Sequence, residues 1–140
     1  MTQQASDATT LTVSVVPDYR RLTVLPRYYG QNMLRVESYV YAFMDSLCDH
    51  YTGGNWDFCE VSNGGFFMKP TGAETYKLSV AGNWFEGELS AEAAGIVVTL
   101  YALNYACLDT FDEKLTDQYH LLRDLAGQHP EGARIFAAID

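Results

Sequence analysis

Apolar positions recur with a helical period between residues 32 and 51. The members of this stripe are Val36, Val40, Phe43, Leu47 and Tyr51, widened by Tyr39 and Met44. Most charged residues of the segment lie outside the stripe, which is typical of an amphipathic helix packed on a core. Asn32 is a suitable N-cap, and Gly53-Gly54 offers a left-handed residue that can end a helix. The pattern therefore predicts one helix over this segment.

The residues before this helix carry weaker signals. Residues 11–16 form a short β-prone run that Pro17 ends. Residues 18–25 predict a helical turn or two before Pro26, because proline interrupts a helix. Residues 27–32 have the composition of a loop.

After residue 55 the pattern changes to that of strands. The predicted strands are residues 56–61, 66–69, 75–80 and 84–89. Asn63-Gly64 accepts positive φ at both central positions of a type I′ turn, so the first two strands should form a hairpin. Tight turns separate the others, and parallel strands would need long crossovers. The segment therefore predicts a short antiparallel β-meander of about four strands.

Three helices are predicted to complete the chain. Ser90 is a suitable cap for a helix that is apolar on nearly every face between residues 93 and 103, which is typical of a buried central helix. Thr110-x-x-Glu113 has the spacing of a capping box for the next helix, which Gly127 would end. Pro130 suits the first position of a last helix. Helices and strands segregated along the chain predict an α+β fold.

The length and the apolar runs limit the class of protein. A length of 140 residues suits one domain, and we expect a flexible tail over residues 1–12 followed by a single domain over residues 13–140. The first ten residues are polar, unlike a secretory signal. The longest apolar stretch, residues 93–103, is shorter than the roughly 20 residues of a membrane span. We therefore expect a cytoplasmic protein without a membrane segment.

The net charge of −9 is unevenly distributed. Residues 1–35 carry four arginines against two aspartates, a net charge of +2, which leaves −11 for residues 36–140. A surface this negative repels phosphates, so we expect no direct binding of nucleic acid. The charge suits solubility, and it also suits basic DNA-handling proteins as partners.

Residues with chemistry are sparse. Cys48, Cys59 and Cys107 show no C-x-x-C spacing, so we expect reduced thiols in the core. The three histidines lack the motifs of nucleophilic or zinc hydrolases. We therefore predict no catalytic, cofactor-binding or metal-binding residue. Glu86 and Glu88 share the predicted solvent face of an edge strand, where a glycosidase-type carboxylate pair is the alternative.

Aromatic residues make up 14% of the chain and concentrate on the predicted strands. Trp56 and Phe58 share one strand face, so they either pack in the core or belong to an exposed patch that marks a partner surface. Core packing is the favoured interpretation, and the patch is the alternative.

Five blocks of the sequence resemble the ArdB/KlcA antirestriction family. They are LPRYYG (residues 25–30), YTGGNWDF (51–58), SNGGFFM (62–68), GELSAEAAGI (87–96) and the segment from His129-Pro130-Glu131 to Ile139-Asp140. The blocks follow one another in order from about Pro17 to the end of the chain. The resemblance implies a protein of conjugative plasmids or other mobile elements that relieves type I restriction of unmodified DNA in the recipient's cytoplasm. It implies no catalytic residues.

Three mechanisms are compatible with this resemblance. A DNA mimic should be crowded with acids, since duplex DNA carries a charge about every 1.7 Å of its axis. Charged residues here total 19%, below the roughly 25% of average proteins, which disfavours mimicry. The preferred hypothesis is a module that binds type I restriction-modification machinery, or a host factor that affects it, and a small hydrolase is the minor alternative. The candidate contact residues are Asp140, Trp56, Glu86 and Glu88.

Overall fold

The computed structural model describes residues 10–140. The strands are β1 (Val13–Val15), β2 (Trp56–Val61), β3 (Phe66–Pro70), β4 (Thr75–Val80) and β5 (Phe85–Ser90). The α-helices are α1 (Arg21–Tyr29), α2 (Met33–Leu47), α3 (Ala91–Thr110), α4 (Glu113–Gln128) and α5 (Gly132–Ile139). This arrangement confirms the predicted α+β class.

The strands form two antiparallel sheets and not one continuous meander. Strand β2 pairs with β3 and also with β1, where Val13 lies opposite Val61. Strands β4 and β5 form a separate hairpin. Strand β3 ends at Pro70, which has no N–H to donate to a ladder. The chain therefore leaves the first sheet at this point, and the free edge of β2 is occupied by β1.

The predicted hairpin between β2 and β3 is present, but its turn differs. Only Gly64 has positive φ in this turn, at 95°, whereas a type I′ turn requires positive φ at two residues. The N–H of Val61 donates to the carbonyl of Gly65, which encloses a three-residue loop. Asn63 stabilises this loop through its side chain, because its Oδ1 accepts a hydrogen bond from the N–H of Gly65 at 2.8 Å.

Helix α3 is the centre of the molecule, as its all-round apolar sequence predicts. Its residues from Ala93 to Leu100 are buried, and it packs on helix α2 and strand β3. A Cβ atom at Gly95 would lie 2.4 Å from the carbonyl oxygen of Met68, so only glycine allows the helix to approach the strand this closely. The N–H of Met68 donates to the hydroxyl of Thr99 at 3.2 Å. Helix α3 is also the one described helix long and apolar enough to cross a membrane, and its burial here is that of a core helix.

The segment before α2 is more helical than the sequence indicates. Helix α1 contains Pro26 and extends to Tyr29, where the sequence predicts a loop. Because Pro26 has no N–H, the carbonyl of Leu22 lacks its helical hydrogen bond, but Leu22 is exposed to solvent. Tyr28 stacks on Phe66 with ring centroids 4.7 Å apart, and Tyr29 meets the same ring edge-on at 5.4 Å. These long-range contacts outweigh the local preference for a loop.

Several predicted helix ends are shifted. Helix α2 ends at Leu47 and not near residue 51, because Cys48 is extended and buried, and Gly53-Gly54 lies in the following loop. Asn32 does precede α2, but its side chain donates to Asp112 and does not cap the helix.

The caps of the C-terminal helices are confirmed only in part. The hydroxyl of Ser90 accepts from the N–H of Ala93 and caps α3 as predicted. Asp112 caps α4, in place of the expected Thr110–Glu113 box, and α4 continues past Gly127 to Gln128. Helix α5 begins at Gly132, so Pro130 lies in the turn before it.

The predicted tail over residues 1–12 falls mostly outside the described residues. Residues 10–12 of it are described, and two of these three are bonded to the body of the protein. The N–H of Leu11 donates to Oε1 of Gln128 at 2.8 Å, and the N–H of Thr12 donates to the hydroxyl of Ser62 at 2.9 Å. The chain is therefore held in place from Leu11 onward.

Candidate partner-contact surface

The β4–β5 hairpin presents an acidic outer face. Glu86 and Glu88 alternate with the inward-facing residues of β5 and are exposed, as the sequence predicts. Lys77 lies opposite Glu88 in the register, and its Nζ is 3.3 Å from a carboxylate oxygen of Glu86. Within residues 10–140, no ion-pair partner is present for Glu88. The outer face therefore carries one paired and one unpaired carboxylate.

The turn that joins the two strands is fixed to the C-terminal helix. The side-chain amide of Asn83 donates to the hydroxyl of Tyr101 at 3.1 Å and to the carbonyl of Ala138. The hydroxyl of Tyr101 donates to the same carbonyl at 2.7 Å. The next residue, Trp84, has a left-handed backbone with φ of 57° and a side chain that is 93% exposed. A rigid turn thus presents an exposed indole ring.

Asp140 lies at the end of helix α5, two residues beyond the carbonyl that anchors this turn. Its carboxylate is 3.5 Å from the guanidinium of Arg123, whose centre lies 4.9 Å from the ring of Phe136. A hydrogen bond to Tyr119 and the charge of Asp140 raise the pKa of Arg123. Negative charge at a helix C-terminus opposes the helix dipole, and Arg123 offsets that charge here. The Asp140 side chain remains 60% exposed.

Trp56 does not belong to this surface. Its side chain is 4% exposed, its Nε1 donates to the hydroxyl of Tyr51 at 2.9 Å, and the ring of Tyr41 meets it edge-on. Phe58 is buried as well. The core interpretation of these aromatic residues is therefore correct, and the alternative of an exposed patch around Trp56 is wrong. The structure brings the end of the β4–β5 hairpin and the C-terminus together and leaves Trp56 apart.

A partly buried polar network links α3 to the turn before α5. Nε2 of His129 lies 2.8 Å from a carboxylate oxygen of Glu92, and Nδ1 accepts from the N–H of Glu131 at 3.0 Å. The carboxylate of Glu131 accepts from the hydroxyl and the N–H of Ser90, at 2.5 and 3.0 Å. Burial opposes ionisation of Glu131, but the bonds from Ser90 and the nearby His129 and Arg134 hold its pKa below its usual value.

The side chains of this network bond to one another and to the backbone. The Ser90 hydroxyl is engaged by Glu131 and by the cap of α3, and His129 bonds to Glu92 and not to Ser90. No serine–histidine relay is therefore formed. Sequence reasoning identified the Ser90 cap but missed the rest, because Ser90 and Glu131 are 41 residues apart.

The basic N-terminal segment is neutralised in part by a carboxylate of the sheet. The Arg20 guanidinium lies 2.8 Å from Glu60, which also accepts from the hydroxyl of Tyr28 at 2.6 Å. The pKa of Glu60 is held below its usual value mainly by the hydrogen bond from Tyr28, and Arg20 lowers it further. Arg21 lies over the ring of Phe58 at 4.2 Å. These contacts fasten helix α1 to strand β2.

The remaining candidates for chemistry stay separate. Cys48, Cys59 and Cys107 are free thiols, and burial raises the pKa of Cys59 to about 12. Among residues 10–140, no group of three or more histidine, cysteine, aspartate and glutamate side chains could hold a metal ion.

Comparison with known proteins decides the family. Residues 49–140 match the family model described as "Antirestriction protein". This chain belongs to the antirestriction protein family.

Curated relatives of this antirestriction protein cover nearly its whole length. Antirestriction protein KlcA of Escherichia coli is 44% identical over 135 residues, which are 93% of this chain and 95% of that relative. A second KlcA of Escherichia coli is 47% identical over 132 residues, covering 89% and 90% of the two chains. Putative antirestriction protein YubI of Escherichia coli strain K12 is 36% identical over 89% of this chain and 93% of that relative.

A solved structure shares the fold. It is 46% identical to this antirestriction protein, covers 93% of this chain and 95% of its own, and superposes with a TM-score of 0.85. That structure comes from work on the KlcA and ArdB proteins, which are described as showing a novel fold and antirestriction activity against type I DNA restriction systems in vivo but not in vitro.

Proposed function

We propose that this protein relieves type I restriction of unmodified DNA that enters a bacterial cell, and that it acts in the cytoplasm through contacts with proteins. The observation that carries the proposal is the likeness to the KlcA and ArdB structure, at 46% identity and a TM-score of 0.85. Activity of those proteins in vivo but not in vitro favours action on, or together with, a component of the living cell. The partner is type I restriction-modification machinery or a host factor that affects it.

The polar network supports a protein that is not an enzyme. A hydrolase of this size would need a nucleophile with a free approach and a base in contact with it. The Ser90 hydroxyl is committed to Glu131 and to the helix cap, and the nearest histidine is turned toward Glu92. These bonds join α3 to the segment that precedes α5, which is a role in stability.

The acidic surface does not have the density of a DNA mimic. A row of exposed carboxylates lies along α4, at Glu113, Asp117 and Asp124. With a rise of about 1.5 Å per residue, their spacings are roughly 6 and 10 Å, much wider than the charge spacing of duplex DNA. Some of the other acids are paired with basic side chains, as in Glu60 with Arg20. We therefore favour recognition of a protein through a defined patch.

The experiment is a plating assay in cells with a type I system. Cells that express the protein should accept unmodified phage with higher efficiency than cells with an empty vector, while modified phage plates equally on both. A host that lacks the restriction subunit controls for effects on phage growth, and a type II system tests the class of target. Absence of relief against every type I system tried would refute the proposed function.

A second measurement separates protein contact from mimicry. A phosphate-like inhibitor should lose affinity for a DNA-binding enzyme steeply as salt increases, because its contacts release counterions. We expect no such steep dependence for this protein. A large negative slope of log affinity against log salt, in direct competition with DNA, would favour the mimic.

A further inference from the structure

Trp84 adopts a backbone conformation that is unfavourable for a tryptophan residue. Among the non-glycine residues from 10 to 140, only Trp84 and Phe111 have positive φ, at 57° and 55°. Bulky side chains rarely adopt this conformation, and glycine adopts it freely. The Trp84 ring is 93% exposed, so packing does not compensate for the strain. The stability of the fold therefore does not explain a tryptophan here, and strain at an exposed residue is typical of a functional position.

The base of this residue is rigid. Asn83, the preceding residue, is bonded to the hydroxyl of Tyr101 and to the carbonyl of Ala138, on two different helices. Phe85, the following residue, begins strand β5 and is half-buried. The indole ring is therefore held outward by an ordered turn. A tryptophan side chain has only two torsions to fix on binding and so loses little entropy, and tryptophan is enriched among the residues that dominate protein interfaces.

The charges around the ring define the partner. Glu86 and Glu88 follow Trp84 on the outer face of β5, and Glu88 has no ion-pair partner within residues 10–140. A shallow depression of about 280 Å³ lies beside the ring, lined by Val80, Phe85 and Glu86 among others. The face of an indole ring attracts the cationic groups of arginine and lysine. Carboxylates repel the phosphates of nucleic acids and of anionic membranes.

We propose that Trp84, Glu86 and Glu88 form a docking surface for a basic segment of a protein partner, with an arginine or lysine side chain stacked on the indole ring and paired with a carboxylate. The proposal rests on the proposed function, since the partner is the protein through which restriction is relieved. A second copy of this chain, a nucleic acid and a membrane are the other possible occupants, and the experiments below distinguish them.

The first experiment compares two glycine variants. Trp84→Gly removes the ring and relieves the backbone strain, and Phe111→Gly makes the same change at the other exposed aromatic residue with positive φ. Both variants should unfold at a denaturant concentration no lower than the wild type. Trp84→Gly should lower the relief of restriction at least about tenfold, as loss of a dominant interface tryptophan does. Phe111→Gly should retain full relief.

Three outcomes of this comparison would overturn the proposal. They are full relief with folded Trp84→Gly, loss of relief with Phe111→Gly alone, and equal loss with both. If Trp84→Gly fails to fold, Trp84→Asn replaces it, because asparagine also tolerates positive φ. If the wild type itself gives no relief, the proposed function is refuted. The second experiment then tests by itself whether the docking surface binds a basic segment of another protein.

The second experiment identifies the occupant. The photo-crosslinking residue p-benzoylphenylalanine replaces Trp84 in one strain and Phe111 in another, and both are irradiated in cells that carry a type I system. We expect an adduct at position 84 to an arginine- or lysine-rich peptide of another protein, and a loss of this adduct in the background of Glu86→Gln and Glu88→Gln. An adduct to nucleic acid, to lipid or to a second copy of this chain would overturn the proposal. So would equal adducts at both positions, or an adduct that the carboxylates do not affect.

Discussion

The guanidinium of Arg123 lies 3.5 Å from the carboxylate of Asp140 and closes the end of the last helix. Both side chains are partly exposed, so the ion pair should contribute about 0–1 kcal/mol. We expect Asp140→Asn to change the free energy of unfolding by less than about 1 kcal/mol and to reduce the relief of restriction. Plating assays and urea unfolding of the purified variant measure the two effects. Asp124→Asn, at an exposed carboxylate on α4, is the matched control and should retain activity. Full activity of Asp140→Asn would contradict the prediction and show that the Asp140 carboxylate is only solvated.

The contact of helix α3 with strand β3 predicts opposite effects for two glycine substitutions. Gly95→Ala places a methyl group 2.4 Å from the carbonyl of Met68, so we expect a loss of about 1–3 kcal/mol in the free energy of unfolding. Gly127→Ala lies in helix α4 with nothing within 4 Å of the new methyl group, so we expect a gain of about 0.5–1 kcal/mol. Denaturant unfolding of both variants provides the measurement. Equal stability of the two would contradict the close approach of helix and strand.

The Ser90–Glu131 pair predicts a contribution to acid stability. The pKa of Glu131 is lower in the folded protein than in the unfolded chain. Its ionised form therefore stabilises the fold at a pH above its unfolded value of roughly 4.3, and this stabilisation is lost as the pH falls through the folded pKa. We expect Glu131→Gln to be less stable than the wild type at pH 7 and the difference to shrink below about pH 4. Unfolding free energies from pH 3 to 7 test this, and a constant difference would contradict it.

Burial predicts the reactivity of the thiols. Cys59 is fully buried with its pKa raised to about 12, and Cys48 is 2% exposed, whereas Cys107 is partly exposed. The thiolate is the reactive species, so the native protein at pH 8 should be alkylated rapidly at Cys107 only. In denaturant all three thiols should react. Mass spectrometry of the labelled peptides gives the result, and Cys107→Ser should abolish the fast phase.

Local features of the sequence were predictable, and the positions of distant residues were not. Ser90 was identified as a cap because its bond to Ala93 spans three residues. The left-handed glycine in the first hairpin was likewise found from the Asn63-Gly64 signal, although the turn is of another type. These features depend on residues that are neighbours in the chain, so the sequence alone is enough to predict them.

The contacts that build the candidate surface are long-range. Asn83 and Ala138 are 55 residues apart, and neither carries a motif that points to the other. The sequence predicts Trp56 as a contact candidate because strand alternation gives the face on which a residue lies and not what covers that face. The sequence pattern predicts a strand that begins at Trp84. In the structure Trp84 directly follows the turn at Gly82-Asn83, and its side chain is exposed.

The division of the strands into two sheets has a consequence for local opening. No ladder hydrogen bonds join β3 to β4, so the β4–β5 hairpin is attached to the rest of the described chain through side chains and helices. Its amide protons should therefore exchange with solvent deuterium as one cooperative group, at a lower opening free energy than those of β2 and β3. The first sheet and the central helix would keep the chain folded during such an opening, so the segment proposed to bind a partner can open without global unfolding.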